Sequence, residues 1–322
     1  MEQGSASAAG SDVLVTPEAL AMVGHQRPAS SERIESGAVR RWGRAVMFGD
    51  VAWREGDAVP TSFFLGLAKG MMGPVAAAGG IDAAEDQLYW LPPLRSRRTF
   101  NGGDRIEVHA PLRVGDVVTR RSRLEDVIER RTRDGRLRAF VTSRTTYTVD
   151  GGRRITWLNN TITVPEDEET SRPSDLGQQG EPHRPAGEEP PDSEVPSWTP
   201  PPLAADVDVI DICRFAGVNE ELALQHVDKD YARERLGLPT VTVMGWLKLG
   251  LMGTLIDRWA GPGAVHRLAA QYRGVDFAGD RLTVTPVGGD RRDGAATVRL
   301  QVTNQRGERT TEGSARVHVP AA

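Results

Sequence analysis

The sequence predicts an α+β protein in which an antiparallel sheet wraps around a central helix, and does so twice in tandem. Three observations carry this expectation. A proline-rich acidic stretch splits the 322 residues into two parts. The two parts repeat the same order of hydrophobic patterns. Each part also holds one apolar, glycine-containing segment that lacks the polar face of a surface helix. Such a helix needs a sheet to bury it, and the economical arrangement pairs the two sheets into one continuous surface.

The dividing stretch covers residues 165–202 and reads PEDEETSRPSDLGQQGEPHRPAGEEPPDSEVPSWTPPP, with 10 of the 21 prolines and almost no aliphatic side chains. It buries too little apolar surface to offset its ordering entropy, so a disordered or extended linker is expected. Its net charge of −8 leaves the remainder at +4, a balance that fits ordinary surface scatter better than a dedicated polyanion site. The expected organisation is a disordered tail over 1–15, an N-terminal domain over 16–164, the linker over 165–202 and a C-terminal domain over 203–322.

In the first part, a helix is expected over 34–46 and an apolar helix over 63–78, then strands over 105–110, 117–128, 139–149 and 154–164. The second part answers with a short helix over 209–218, a long apolar helix over 241–259, and strands over 267–275, 281–287, 295–303 and 311–318. LGLAKGMMG at 65–73 lies over MGWLKLGLM at 244–252, with Gly66 on Gly245 and Lys69 on Lys248; LRVGDVVT at 112–119 lies over DFAGDRLT at 276–283.

Hydrophobic residues make up 39% and charged residues 26%, the balance of a soluble globular chain. The longest apolar stretch, 240–256, carries Lys248 and three glycines and reads as a buried helix rather than a membrane span. A single cysteine, Cys213, permits no internal disulfide, and the first residues show no basic and apolar leader pattern, so the cytoplasm is the expected compartment. Dinucleotide, P-loop, zincin and serine-hydrolase signatures are absent. The arginine clusters at Arg95, Arg97 and Arg98 and at Arg130, Arg131 and Arg133 lack interleaved aromatics, which argues against nucleic acid.

The informative stretch is ICRFAGVNEELALQHVDKDYARERLGLPTVTVMGWL at 212–247, followed by QYRGVDFAGDRLTV at 271–284. It resembles the MaoC-like acyl-CoA hydratases and dehydratases of the hotdog fold, whose pattern is F-A-x-x-S-G-D-x-N-P-x-H-x-D-x-x-Y-A, then H-G-M-L, then F-x-G-D-x-L. Phe215, Ala216, His226, Asp228, Tyr231, Ala232, Gly245, Leu247, Phe277, Gly279, Asp280 and Leu282 match. Arg214 and Asp230 extend the likeness toward the mesaconyl-C4-CoA hydratase-like branch, which PPLRSRRTFNGGDRIEVHAPLRVGDVVTRRSRLEDV at 92–127 also resembles. The pattern's aspartate falls on Glu221, its asparagine on Ala223, its proline on Leu224 and the histidine before the helix glycine on Met244.

The resemblance implies a double hotdog that adds or removes water at C2–C3 of an enoyl or 3-hydroxyacyl thioester, in the (R)-specific manner. No metal or redox cofactor is implied, and coenzyme A or an acyl-carrier protein would carry the acyl group as substrate. Glu221, or in its place the neighbouring Glu220, would share the proton transfers with His226, five residues after Glu221, and the helix opening at Gly245 would offer backbone N–H groups to the developing enolate. Gly245 would let the thioester approach closely, while Met244, Trp246 and Tyr231 would contact substrate. Asp228 and Tyr231 are also placed to fix the loop and the following helix. Glu35, His109 and Asp116 offer no acid–base pair in the first part, which is expected to supply the partner sheet and part of an acyl tunnel. Outer surfaces of such pairs often associate, so a homodimer, or a hetero-oligomer with another hotdog subunit, is expected.

Two other readings stay open on the residues alone. The lost aspartate, asparagine and helix-leading histidine fit a non-catalytic hotdog that binds an acyl thioester or a partner chain. A carboxylate such as Glu221 near a helix start also fits an acyl-CoA thioesterase.

Overall fold

The computed structural model describes residues 13–68, 92–96, 98–132, 135–165 and 195–318. In chain order these form α1 (Pro17–Ala21), β1 (Ser30–Arg33), α2 (Ser36–Ala45), a 3-10 turn (Thr61–Leu67), β2 (Thr99–Val108), β3 (Val117–Arg131), β4 (Leu137–Val149) and β5 (Gly152–Thr163). The second half holds β6 (Leu203–Val207), α3 (Val209–Asn219), α4 (Leu224–Val227), a π turn (Tyr231–Arg235), α5 (Gly245–Ala260), β7 (Val265–Tyr272), β8 (Asp280–Arg292), β9 (Ala295–Thr303) and β10 (Arg309–His318).

The sequences at 112–119 and 276–283 that answer each other fold into the same turn. Gly115 and Gly279 take φ of +94° and +95°, a left-handed conformation open to glycine. The carboxylates of Asp116 and Asp280 accept from the backbone N–H groups of Arg113 and Phe277, at 2.8 and 2.9 Å. Each turn launches the first long strand of its half.

The strands form one ten-stranded antiparallel sheet in the order β1-β3-β4-β5-β2-β7-β10-β9-β8-β6. The order mirrors itself about the β2–β7 seam, where Gly103, Asp104, Arg105, Ile106 and Glu107 face Gln271, Ala270, Ala269, Leu268 and Arg267. Strict alternation along β9 turns Ala296, Val298, Leu300 and Val302 inward.

Against the inner face lies α5, in which every residue from Trp246 to Asp257 is buried. Being apolar on all sides, it fits only inside the protein, and its far side is covered by segments of the first half. Thr254 Oγ1 donates to the Val46 carbonyl at 2.8 Å. The Asp257 carboxylate accepts from Thr61 N at 2.7 Å and from Thr61 Oγ1 at 2.6 Å, while burial pushes this carboxyl up to about 7. The one lysine of α5, Lys248, is 2% exposed and donates to Asp276 Oδ2 and to the Gly274 carbonyl, both at 3.0 Å. Asp276 is fully buried and its other oxygen accepts from Asn304 at 3.2 Å.

The expected first-half helix over 63–78 is instead a 3-10 turn over Thr61–Leu67, and residues 69–78, with Lys69, lie outside the described residues. Arg97 and Arg133 lie outside them too. Trp198, inside the stretch expected to stay unpacked, stacks on Trp259 with centroids 6.2 Å apart. Leu14, at the end of the expected tail, is buried with Ala19, Leu94 and Leu124 in a second small core. In both cases an apolar side chain anchors a segment whose composition is otherwise polar. The edge strands β1 and β6 were not expected: β1 is exposed throughout, so it has no apolar face to read, and β6 alternates over only five residues. Among the described residues, no helix is long and apolar enough to cross a membrane.

Removing one member of the buried Lys248–Asp276 pair leaves the other charge without compensation. Lys248→Met is expected to destabilise the fold by about 3–5 kcal/mol, read from urea unfolding midpoints against the wild-type chain.

Candidate active site

The site begins at the end of α3. That helix starts with a reciprocal capping box between Asp208 and Asp211 and stops at Glu220, a non-glycine residue at φ +59°. The left-handed residue reverses the chain and sends Glu221 inward. Asn219, 3% exposed, grips Glu221 at both ends: its Oδ1 accepts from the Glu221 backbone N–H at 3.0 Å, and its Nδ2 donates to Oε2 at 3.4 Å.

One turn later, α4 carries His226. Its Nδ1 lies 2.8 Å from the Thr242 carbonyl and 2.9 Å from Thr242 Oγ1. A carbonyl only accepts, so Nδ1 carries the proton and Nε2 keeps its lone pair. That lone pair lies on the Glu221 side, with Nε2 3.8 Å from Oε1, and the two side chains are 11% and 13% exposed. Thr242 is itself bridged to Phe277, which ties this loop to the turn that launches β8.

Burial sets the charges of the pair in opposite senses. It pushes the Glu221 carboxyl up to about 7, against the pull of the Asn219 hydrogen bond and with help from the charge of Asp104. It brings the His226 imidazole down to about 4, against the Thr242 carbonyl. Near neutrality the imidazole is therefore neutral and the carboxyl is divided between its two forms.

The first turn of α5 lies alongside. Met244 caps it without a side-chain hydrogen bond, and its carbonyl accepts from Leu247 at 3.1 Å and Lys248 at 3.3 Å; among the described residues the N–H groups of Gly245 and Trp246 have no partner. A Cβ on Gly245 would stand 2.9 Å from the Tyr272 ring. The Tyr272 ring thus packs directly against the glycine. The Tyr272 hydroxyl donates to Asp104 Oδ2 at 2.6 Å, across the seam. Asp104 Oδ1 accepts from Trp157 Nε1 at 2.7 Å and Asn159 Nδ2 at 2.9 Å, and the Trp157 ring meets Trp246 edge-on at 5.3 Å.

The structure thus brings together Glu221, His226 and the helix start at Gly245. Met244 is fully buried in the main core, directly before the first turn of α5. Trp246 is 7% exposed, and among the described residues its indole N–H completes no hydrogen bond. Tyr231 is partly buried at the start of the π turn, where its backbone N–H and that of Asp230 donate to Asp228 Oδ1, both at 2.9 Å. Among the described residues no hydrogen bond or ring contact joins Tyr231 to the pair. A concavity of about 360 Å³ lined by Arg121, Arg123, Arg144 and Thr146 opens on the opposite, outer face of the first-half sheet. Glu35, His109 and Asp116 do structural work: Glu35 precedes α2, His109 bonds Thr156 at 3.0 Å, and Asp116 closes its turn.

Sequence reasoning missed Asn219, Thr242, Tyr272 and Asp104. A charged residue in the apolar-alternating run of β2 was the available signal for Asp104; Tyr272 stood in a quoted motif but at no pattern position.

The family model described as "FAS1-like, dehydratase domain region" matches residues 21–156. No curated protein matches the sequence. Among solved structures, a MaoC-like dehydratase is 20% identical with a TM-score of 0.67, over 93% of this chain and 99% of its own. A MaoC-like dehydratase from Phytophthora capsici is 11% identical with a TM-score of 0.63, over 93% and 97%. A conserved hypothetical protein from Mycobacterium tuberculosis, described as having a double hotdog fold, is 14% identical with a TM-score of 0.55, over 90% and 93%. With the mirrored sheet and the helix in its concave face, these likenesses establish the fold class: the chain is an α+β double-hotdog protein.

Because the folded state raises Glu221 above its ordinary value near 4.5, it holds that proton more tightly than the unfolded chain. The stability this contributes is full below pH 4.5 and is lost as pH rises through about 7. Glu221→Gln is therefore expected to gain on the wild type in thermal midpoint between pH 5 and 8, with the gain flattening above pH 7.5; parallel midpoint curves across about pH 5–8 would contradict the raised carboxyl.

Proposed function

We propose that the chain is a MaoC-like hydratase or dehydratase acting at C2–C3 of an acyl thioester, with Glu221 and His226 as its catalytic residues. The observation that carries this reading is the buried Glu221–His226 pair at 3.8 Å, beside a helix start whose first two N–H groups have no partner among the described residues. The dehydratase-region match over residues 21–156 supports it independently of those residues.

A water between Oε1 and Nε2 can touch both groups. In hydration, the ionised Glu221, a stronger base than an ordinary carboxylate, takes a proton from that water. His226 Nε2 accepts the water's other hydrogen and aims its oxygen at C3. As the C3–O bond forms, the double-bond electrons move toward C2 and the thioester oxygen, where the N–H groups of Gly245 and Trp246 meet the developing charge. The new carboxylic acid of Glu221 then protonates C2, which restores the carboxylate. Dehydration runs the same steps backward.

The finer reading is an (R)-specific enoyl hydratase acting on coenzyme A or carrier-protein thioesters, with small dicarboxylic acyl groups of the mesaconyl type among the substrates. The test is mass spectrometry of the purified chain with enoyl-CoA and 3-hydroxyacyl-CoA thioesters, including mesaconyl-type acids. Wild type is expected to add or remove one water with the thioester intact. Glu221→Gln is expected to lose about 10²–10⁴-fold in rate and His226→Ala a similar amount. Release of free thiol would point to a thioesterase. Ligand-dependent thermal stabilisation with no turnover would point to a binding protein.

A further inference from the structure

We propose that Asp104, which stands in the first half of the chain, is a positioning residue for the Glu221–His226 site: through Tyr272 and Trp157 it fixes the first turn of α5 beside that pair. The inference rests on the hydratase reading for its consequence in catalysis, and on geometry for its substance.

Asp104 is 4% exposed, in the middle of a seam strand whose inward neighbour Ile106 is apolar. A carboxylate there carries a desolvation cost that an aliphatic side chain would avoid, so its retention calls for hydrogen-bonded partners. Those partners are specific. Tyr272, held at 2.6 Å, lays its ring on Gly245, where a Cβ would stand 2.9 Å from it and force the ring to move. Trp157, held at 2.7 Å, meets Trp246 edge-on. Asn159 supplies a third donor at 2.9 Å, and the Trp246 indole also lies on the Asp104 side without completing a hydrogen bond. The two residues whose N–H groups open α5 are thus each packed by a ring that Asp104 holds. Among the described residues, the titratable groups facing Glu221 are His226 on α4, Asp104 on β2 and Tyr272 on β7. Asp104 reaches the site from the other half of the repeat, so neither half assembles it alone.

The experiment compares full-length wild type, Asp104→Asn and Tyr272→Phe. Asn keeps an acceptor for Trp157 while removing the charge, and Phe keeps the ring while removing the bond to Asp104. Thermal unfolding first identifies which variants fold, and Tyr272→Phe, which leaves the carboxylate its other donors, keeps the test open if Asp104→Asn does not. Two readouts follow: kcat and KM on whichever thioester the wild type hydrates, and the titration of the Glu221 carboxyl by carbon-13 NMR, assigned with Glu221→Gln. Folded variants are expected to lose about tenfold to a hundredfold in kcat with KM within about twofold of wild type. Wild-type kcat in folded variants would overturn the proposal. If the wild type hydrates nothing, the hydratase reading falls and the titration decides alone. Because Asp104→Asn also removes a charge that acts on Glu221 directly, the titration is judged on Tyr272→Phe, which leaves the carboxylate in place: there a midpoint displaced so that proton affinity changes about threefold or more upholds the positioning role, and an undisplaced midpoint overturns it.

Discussion

Antiparallel pairing of β2 with β7 is the joint on which the molecule depends. It closes two five-stranded halves into one sheet and sets Asp104 opposite Ala270. Tyr272, two residues further along β7 and on the same face, is then the diagonal neighbour of Asp104, a separation that an aromatic side chain can span. A slip of one residue between the two strands would put Asp104 and Tyr272 on opposite faces of the sheet and break their hydrogen bond. The hydrogen bonds of α5 to Val46 and Thr61 reinforce the same joint from the concave side. The register of one strand pair therefore reaches both the core and the neighbourhood of the Glu221–His226 pair.

The two halves share an architecture but differ in what they hold inside it. The matching turns at Gly115 and Gly279 start equivalent strands, and the edge strands β1 and β6 occupy equivalent places in the sheet order. Among the described residues, the Glu221–His226 pair has no counterpart in the first half. Glu221 is held by Asn219 on one side of a left-handed reversal, and His226 by the carbonyl of Thr242. Burial of a carboxyl with so few donors works against stability near neutral pH. It also creates a proton acceptor whose affinity matches the medium, which acid–base chemistry requires. The same low-dielectric surroundings keep His226 neutral, with one nitrogen committed and the other available.

Periodicity and internal repetition made the long strands and the buried helix legible, because each has a face whose burial the residue pattern records. The strands at 139–149 and 295–303 were readable to within a residue or two of β4 and β9 for that reason. Segments held by one anchor were not readable: Trp198 packs from within a proline-rich acidic run, and the exposed β1 shows no alternation at all. In the site, Glu221, His226 and Gly245 could be named because they sit in one short motif. Asp104 and Tyr272 could not, since what joins them is a strand pairing between residues 168 positions apart. The glycine at 245 shows the limit of reading a residue type alone, for its small size was legible and the ring that needs it was not.

The central claim is that one buried carboxyl, Glu221, both takes the proton from water and delivers it to C2. The direct measurement is hydration of an enoyl thioester by the wild-type chain in deuterium oxide, with the product's configuration read by proton and deuterium NMR. A single deuterium at C2 is expected, on the same face as the new hydroxyl at C3, because one group serves both ends of the addition. Deuterium delivered to the opposite face, or no hydration of any enoyl thioester, would contradict it.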